Sequence, residues 1–355
     1  MNKAIKYITA LTCILVICLI IIGQFSGQNE QNASVEVMSE KVLVPGGQSI
    51  GVKMDVRGVL VVGLEEIEDE TGEKINPGVL SGVQIGDTIL SINGREVYKA
   101  NEVQEIVNDI KGTVTLKIKR NDEILKVDIM PVVSKNDEMY RLGIWVKDKT
   151  AGIGTLTYYD PSMGTFGALG HGIVDPETKK ILPVDSGLLL ESKVKEIKEG
   201  ENGDPGEIQG IFYHSDTPLG SLEYNCEFGI FGEAYQPIEN PIYSKPLAVG
   251  TRDQVETGKA YILTTLKNNE TKRYEIEIES ISEQSEPSDK SMVIKVTDEE
   301  LLNECGGIVQ GMSGSPIIQN DRIIGAVTHV FVNDAQRGYG LFIEWMLESS
   351  KPVDK

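Results

Sequence analysis

Changes in hydrophobic rhythm divide the chain. Ile5 to Gly23 is a nearly unbroken apolar run, Ile14-Leu15-Val16-Ile17-Cys18-Leu19-Ile20-Ile21-Ile22 at its heart, preceded by Lys3 and Lys6. About 20 such residues cross a bilayer as a helix, and the lysines predict an amino terminus inside and the rest of the chain outside. No Ala-x-Ala site follows and Cys18 lies within the run, so residues 1–23 are expected to be a short stub and an uncleaved signal anchor. Residues 24–48, rich in Gln, Asn, Ser and Glu without periodicity, predict a flexible tether open to proteolysis. From 49 to 133 the rhythm predicts a small mixed domain. Glu102 to Ile110 places Val103, Ile106, Val107 and Ile110 on one helical face, and Thr113 to Lys119 alternates as a strand does. From 137 to 350 short β-branched runs are separated by Gly, Pro and Asn turns, including Gly143-Ile144-Trp145-Val146 and Gly152 to Tyr159 as strands. That pattern predicts an all-β barrel or sandwich, and makes the whole molecule mainly β.

Composition sharpens this picture in three places. With 54 acidic against 34 basic residues and a net charge of -20, the chain lacks the basic surface that nucleic acid requires, and no nucleic-acid partner is expected. Cys13 and Cys18 fall in the apolar run, leaving Cys226 and Cys305 outside; one disulfide is allowed, but two buried free thiols are the expectation. The three scattered histidines and two outer cysteines lack metal-ligand spacing, and no glycine loop leads to Lys and Ser or Thr, so neither metal nor cofactor is expected.

Gly86-Asp87-Thr88-Ile89-Leu90-Ser91-Ile92-Asn93-Gly94 is similar to the hallmark of PDZ domains, a strand that ends in a tight Asn-Gly turn. PDZ domains bind an extended peptide as an added strand. The resemblance implies Gly58, Val59, Leu60 and Val61 as the peptide-binding edge. The usual Gly-Leu-Gly-Phe loop is missing there, which leaves open whether a free carboxyl terminus or an internal segment binds.

Candidate chemistry concentrates in Gly311-Met312-Ser313-Gly314-Ser315-Pro316. A serine hydroxyl needs a base to take its proton and donors aimed at the oxyanion it creates. Glycines on both sides let backbone amides converge beside it. The stretch resembles the Gly-x-Ser-Gly-x-Pro turn of chymotrypsin-like proteases, which implies Ser313 as nucleophile and the amides of Gly311 and Ser313 as the oxyanion hole; Ser315 ranks second. Pro316 and the run Ile317 to Val327 predict a hairpin rather than the helix that follows a hydrolase elbow. For the base, His171 in Gly170-His171-Gly172 precedes the serine as chymotrypsin-like order requires. His214 and His329 compete, and His329 sits in a strand run that predicts a structural role.

Anchor, PDZ-like region, Gly-His-Gly and Gly-Ile-Val-Gln-Gly-Met-Ser-Gly-Ser-Pro together resemble the SpoIVB peptidase family of endospore-forming bacteria, across nearly the whole chain. The resemblance implies a triad of His171, Asp298 and Ser313, although the residues themselves do not prefer Asp298 over Asp175, Asp185 or Asp216. It further implies a protease of the forespore membrane with its ectodomain between forespore and mother cell. Such a protease trims itself and cleaves a regulatory subunit in the opposing membrane, which releases an intramembrane protease to process a pro-sigma factor. The tether is the expected region of self-cleavage. HtrA-like proteases, which carry PDZ domains after the catalytic domain, fit the order less well. An anchored PDZ scaffold with an inactive protease-like domain is the alternative from another class.

Overall fold

The computed structural model describes residues 41–350 apart from 122, 202 and 214–216. The apolar run 5–23, most of the tether and His214 and Asp216 lie outside the described residues. No described helix is long and apolar enough to cross a membrane.

Chain order begins with β1 (Val42–Pro45) and β2 (Ser49–Leu64), continues through β3 (Ile67–Glu68), β4 (Lys74–Ile75), β5 (Thr88–Ile92) and β6 (Arg95–Glu96), and reaches the helix Ala100–Ile110. Next come β7 (Val114–Arg120), β8 (Glu123–Ile129), β9 (Val132–Val133), β10 (Tyr140–Arg141) and the long β11 (Ile144–Asp160). β12 (Thr165–Ala168), β13 (Val184–Lys198), β14 (Glu207–Tyr213), β15 (Gly220–Cys226) and β16 (Gly229–Ala234) follow. The last group is β17 (Leu247–Val249), β18 (Gly258–Thr265), β19 (Thr271–Ile281), β20 (Met292–Val296), the helix Glu299–Cys305, β21 (Pro316–Gln319), β22 (Arg322–Phe331), β23 (Asp334–Phe342) and the helix Ile343–Ser349.

Pairing closes these strands into two antiparallel barrels, a solution that leaves few sheet edges open. In the first, β2 pairs with β11, β11 with β12, β12 with β16, β16 with β15, β15 with β13, and β13 again with β2. Its core is Ile50, Val52, Met54, Leu156, Phe166, Leu189, Leu222 and Ile230, the inward positions of alternating strands. In the second, the ring runs β18, β19, β20, β23, β22, β21 and back to β18, around Ile262, Ile276, Ile294, Ile317, Val327 and Leu341. β1 joins the two, pairing Val44 with Tyr159 on one side and Val42 with Ala248 on the other.

The PDZ region has its own core of Val59, Val61, Ile89, Ile92, Val103, Ile106, Val107, Leu116 and Ile118. The expected features are present: the helix buries Val103, Ile106 and Val107, and Asn93 and Gly94 take positive φ of 50° and 81° between β5 and β6, the conformation a two-residue hairpin turn requires. Its placement differs from the linear order expected. The first half of β2, through Val56, is a strand of the first barrel, and the PDZ region sits between that strand and β11, the next strand of the same barrel. A strand also lies within the stretch expected as tether, because Val42–Pro45 pairs with β11 of the first barrel and with β17, which flanks β22 of the second. Both differences have one cause: local pattern marks a strand but not the distant strand it pairs with.

The expected PDZ edge is likewise not free. Val59 and Leu60 pair with Ile89 and Thr88 of β5 on one side, while Leu60 and Val61 pair with Lys147 and Val146 of β11 on the other.

Candidate active site

The nucleophile turn enters the second barrel just before β21. Gly311 and Gly314 hold φ of +99° and +94°, left-handed backbone that favours glycine. A Cβ on Gly314 would lie 2.2 Å from Thr155 O and 2.4 Å from Leu169 N, so the first barrel presses directly on the turn. Thr155 of β11 binds it twice: its N–H donates to Ser313 O at 3.1 Å and its Oγ1 donates to Gly311 O at 2.8 Å. These bonds engage the carbonyls of Gly311 and Ser313. Their N–H groups make no hydrogen bond among the described residues, the condition an oxyanion hole must meet. Beyond the turn, Asn320 and Asp321 at φ of 49° and 55° close the expected hairpin of β21 and β22. Ser315, the second-ranked serine, is fully buried and its Oγ has no partner among the described residues; it is sealed in the packing.

His171 follows β12 of the first barrel. Leu169 and Gly170 turn the chain at φ of 71° and 68°; for a leucine this backbone costs energy that surrounding contacts must hold in place. The loop is fastened by Asn225 of β15, whose Oδ1 accepts from Ile173 N–H and whose Nδ2 donates to Ile173 O and Leu182 O. Ser313 and His171 line one cleft of about 920 Å³ between the barrels, together with Asp289, Gly311, Thr328 and His329.

The protonation pattern of His171 follows from its single hydrogen bond among the described residues. Nδ1 lies 2.9 Å from Gly172 O, and a carbonyl can only accept, so Nδ1 carries the proton and Nε2 keeps its lone pair. Burial depresses the His171 pKa, opposed by the Gly172 carbonyl and the Asp289 charge. The ring is therefore neutral and basic at neutral pH. Ser313 Oγ donates to Thr328 O at 2.7 Å, a bond it must give up before it can donate to a base.

Asp298 is not placed as an orienting acid. It caps the helix Glu299–Cys305: Oδ1 accepts from Glu300 and Leu301 N–H, and Oδ2 from Glu275 N–H at 3.2 Å. Its position fifteen residues before the serine is explained by that helix, since Asp is a preferred cap. Of its rivals, Asp175 is fully buried and binds the amides of Glu177 and Thr178, and Asp185 lies 3.9 Å from Arg57. Among the described residues, the carboxylate whose charge acts on both histidines is Asp289, on the loop between β19 and β20 and 3.8 Å from His329 Nδ1. His329, read from sequence as structural, lies half-exposed with its ring centroid 5.1 Å from that of His171. Burial and the neighbouring His171 both push its pKa down. Nothing in the local sequence marks Asp289, one acidic residue among 54. Cys226 and Cys305 are both free thiols, and among the described residues no cluster of three or more His, Cys, Asp or Glu is placed to hold a metal.

A serine at a glycine turn, open amides beside it and a neutral histidine across the junction of two β-barrels define a serine endopeptidase of chymotrypsin-like fold with a PDZ domain. Residues 138–347, more than half of the chain, match the family described as SpoIVB peptidase S55, and the chain belongs to that family; residues 77–120 match the PDZ domain. Among solved structures it is similar to the active form of the Rv3671c protease from M. tuberculosis, with 15% identity, 58% of this chain and 78% of that one covered, and a TM-score of 0.33. It is also similar to the HtrA-type protease AlgW with tripeptide, with 12% identity, 56% and 54% covered, and a TM-score of 0.32. A curated Helicobacter pylori (strain J99) protein whose name describes a zinc metalloprotease is 27% identical over 133 residues, and the chain spans only 35% of that relative's length.

Proposed function

We propose that the chain is a membrane-anchored, self-processing signalling protease that acts in sporulation. In this reading residues 5–23 hold it in the forespore membrane, Ser313 attacks a peptide carbonyl as His171 Nε2 takes its proton, and the amides of Gly311 and Ser313 receive the oxyanion. Asp289 stabilises the imidazolium that forms, with His329 between. Self-cleavage falls in the stretch before Val42. The substrate is the regulatory subunit of an intramembrane protease in the opposing membrane, and its loss leads to pro-sigma factor processing.

The observation that carries this reading is the convergence of Ser313, two open amides and the neutral His171 ring in one cleft. Family membership supports the sporulation role, and the lysine-flanked apolar run supports the anchor. The test is expression of the full chain and of Ser313→Ala in the same membrane, followed by blotting for amino-terminal trimming and for cleavage of a co-expressed regulatory subunit. Trimming and substrate cleavage in wild type alone are expected. Identical trimming in both would assign the cut to another protease and remove self-processing from the account.

A further inference from the structure

The edge that a PDZ domain offers to a peptide is filled here by the chain itself. Ile144, Trp145, Val146 and Lys147 pair antiparallel with Leu64, Gly63, Val61 and Leu60 of β2. On their other flank lies the helix Ala100–Ile110, which clamps the same segment at both ends. Gln104 Nε2 donates to Tyr140 O at 2.9 Å, and Asn108 Oδ1 accepts from Tyr140 N–H at 2.9 Å. Eight residues on, Asp148 Oδ2 accepts from Ala100 N–H at 3.1 Å, at the helix start. Leu142 is buried in the PDZ core, and Ile144 and Val146 pack against it, while Trp145 between them is 60% exposed. Strand pairing on one side, a helix on the other and alternate apolar side chains turned inward make up the strand-addition mode of peptide recognition.

We propose that residues 140–148 are an internal ligand of the PDZ groove, and that a partner enters only by displacing them. The partner is an extended segment with apolar side chains two residues apart. A tethered occupant acts at an effective concentration on the order of millimolar, so only a partner that exceeds this competition binds, which makes the groove selective. The same strand continues to Thr155, whose two bonds hold the nucleophile turn; groove occupancy is thereby linked to the geometry of Ser313. This link rests on the protease reading, whereas the occupancy does not.

The experiment uses the full chain carrying Ser313→Ala and a fluorescent peptide with the sequence of residues 140–148, read by anisotropy. Ile144→Asp with Val146→Asp weakens the internal ligand and is expected to tighten peptide binding at least tenfold. A lock is made by Leu64→Cys with Ile144→Cys, a directly paired couple; oxidised, it is expected to lose peptide binding, and reduction restores it. No tighter binding by the double-Asp variant, with its circular dichroism unchanged, would overturn the proposal. If that variant does not fold, the lock decides: equal binding, or none, in its oxidised and reduced states overturns the proposal equally. Because Ser313 is absent throughout, either result is independent of whether the protease reading stands.

Discussion

The serine turn and the histidine loop meet in one cleft but are built in opposite ways. The backbone shape of the turn is encoded within six residues, two glycines in left-handed backbone, a buried Met312, and a proline that starts the next strand, and Thr155 of the first barrel fastens two of its carbonyls. The histidine loop takes its form from afar. Asn225, more than fifty residues along the chain, holds it by three hydrogen bonds, and the charge that faces it comes from Asp289 of the other barrel. A nucleophile needs a local backbone shape, which a short motif can encode; a base needs a neutral ring in a fixed orientation, which only tertiary packing supplies.

Breaking each side should separate these two kinds of dependence. The largest effects are expected at the chemistry itself. Ser313→Ala and His171→Ala should each lower kcat/KM on a cleavable peptide by about 10⁴-fold or more, with melting temperatures little changed. Gly314→Ala comes next: its Cβ meets Thr155 O and Leu169 N at 2.2 and 2.4 Å, so a loss of about 1–3 kcal/mol in denaturant unfolding is expected, together with most of the activity. On the histidine side, Asn225→Ala leaves Ile173 N–H and Leu182 O without their partner, while Ile173 O keeps Leu182 N–H, and should cost roughly 1–3 kcal/mol. There the fall in activity should exceed the fall in stability, because the ring loses its orientation.

Burial lowers the His171 pKa from its ordinary 6.5, and the base works only when neutral, so the acid limb of kcat/KM against pH should have its midpoint below 6.5. Asp289→Asn removes a charge that raises the pKa of His171 and should move that midpoint further down, with a severalfold loss of kcat. The smallest effect is expected at Asp298→Asn. Asparagine caps a helix about as well as aspartate, so activity should stay within a few-fold of wild type. A collapse of kcat with folding intact would return Asp298 to the catalytic set.

What was legible in the sequence follows the same division. The PDZ strand and its Asn93-Gly94 turn, the helix with Val103, Ile106 and Val107, and the hairpin after Ser313 are local patterns, and each is present. What stayed hidden was pairing at a distance. Val52 to Arg57 alternates and Gly58 to Gly63 is continuously apolar, but nothing in either run shows that they form one strand, β2, whose two halves serve a barrel and a PDZ sheet. Asp298 entered the expected triad only through the family resemblance, and its amide partners show a helix cap. The Gly58 to Val61 edge looked open because the strand that covers it, Ile144–Asp160, lies eighty residues further on.

The most direct test of the account is fluorophosphonate labelling of the full chain at pH 7.5, with the modified peptide mapped by mass spectrometry. One adduct per chain is predicted, on Ser313, absent in Ser313→Ala and strongly slowed in His171→Ala, but formed at close to the wild-type rate in Asp298→Asn. Labelling that persists in Ser313→Ala, or that maps to any other serine, would contradict the catalytic site described here.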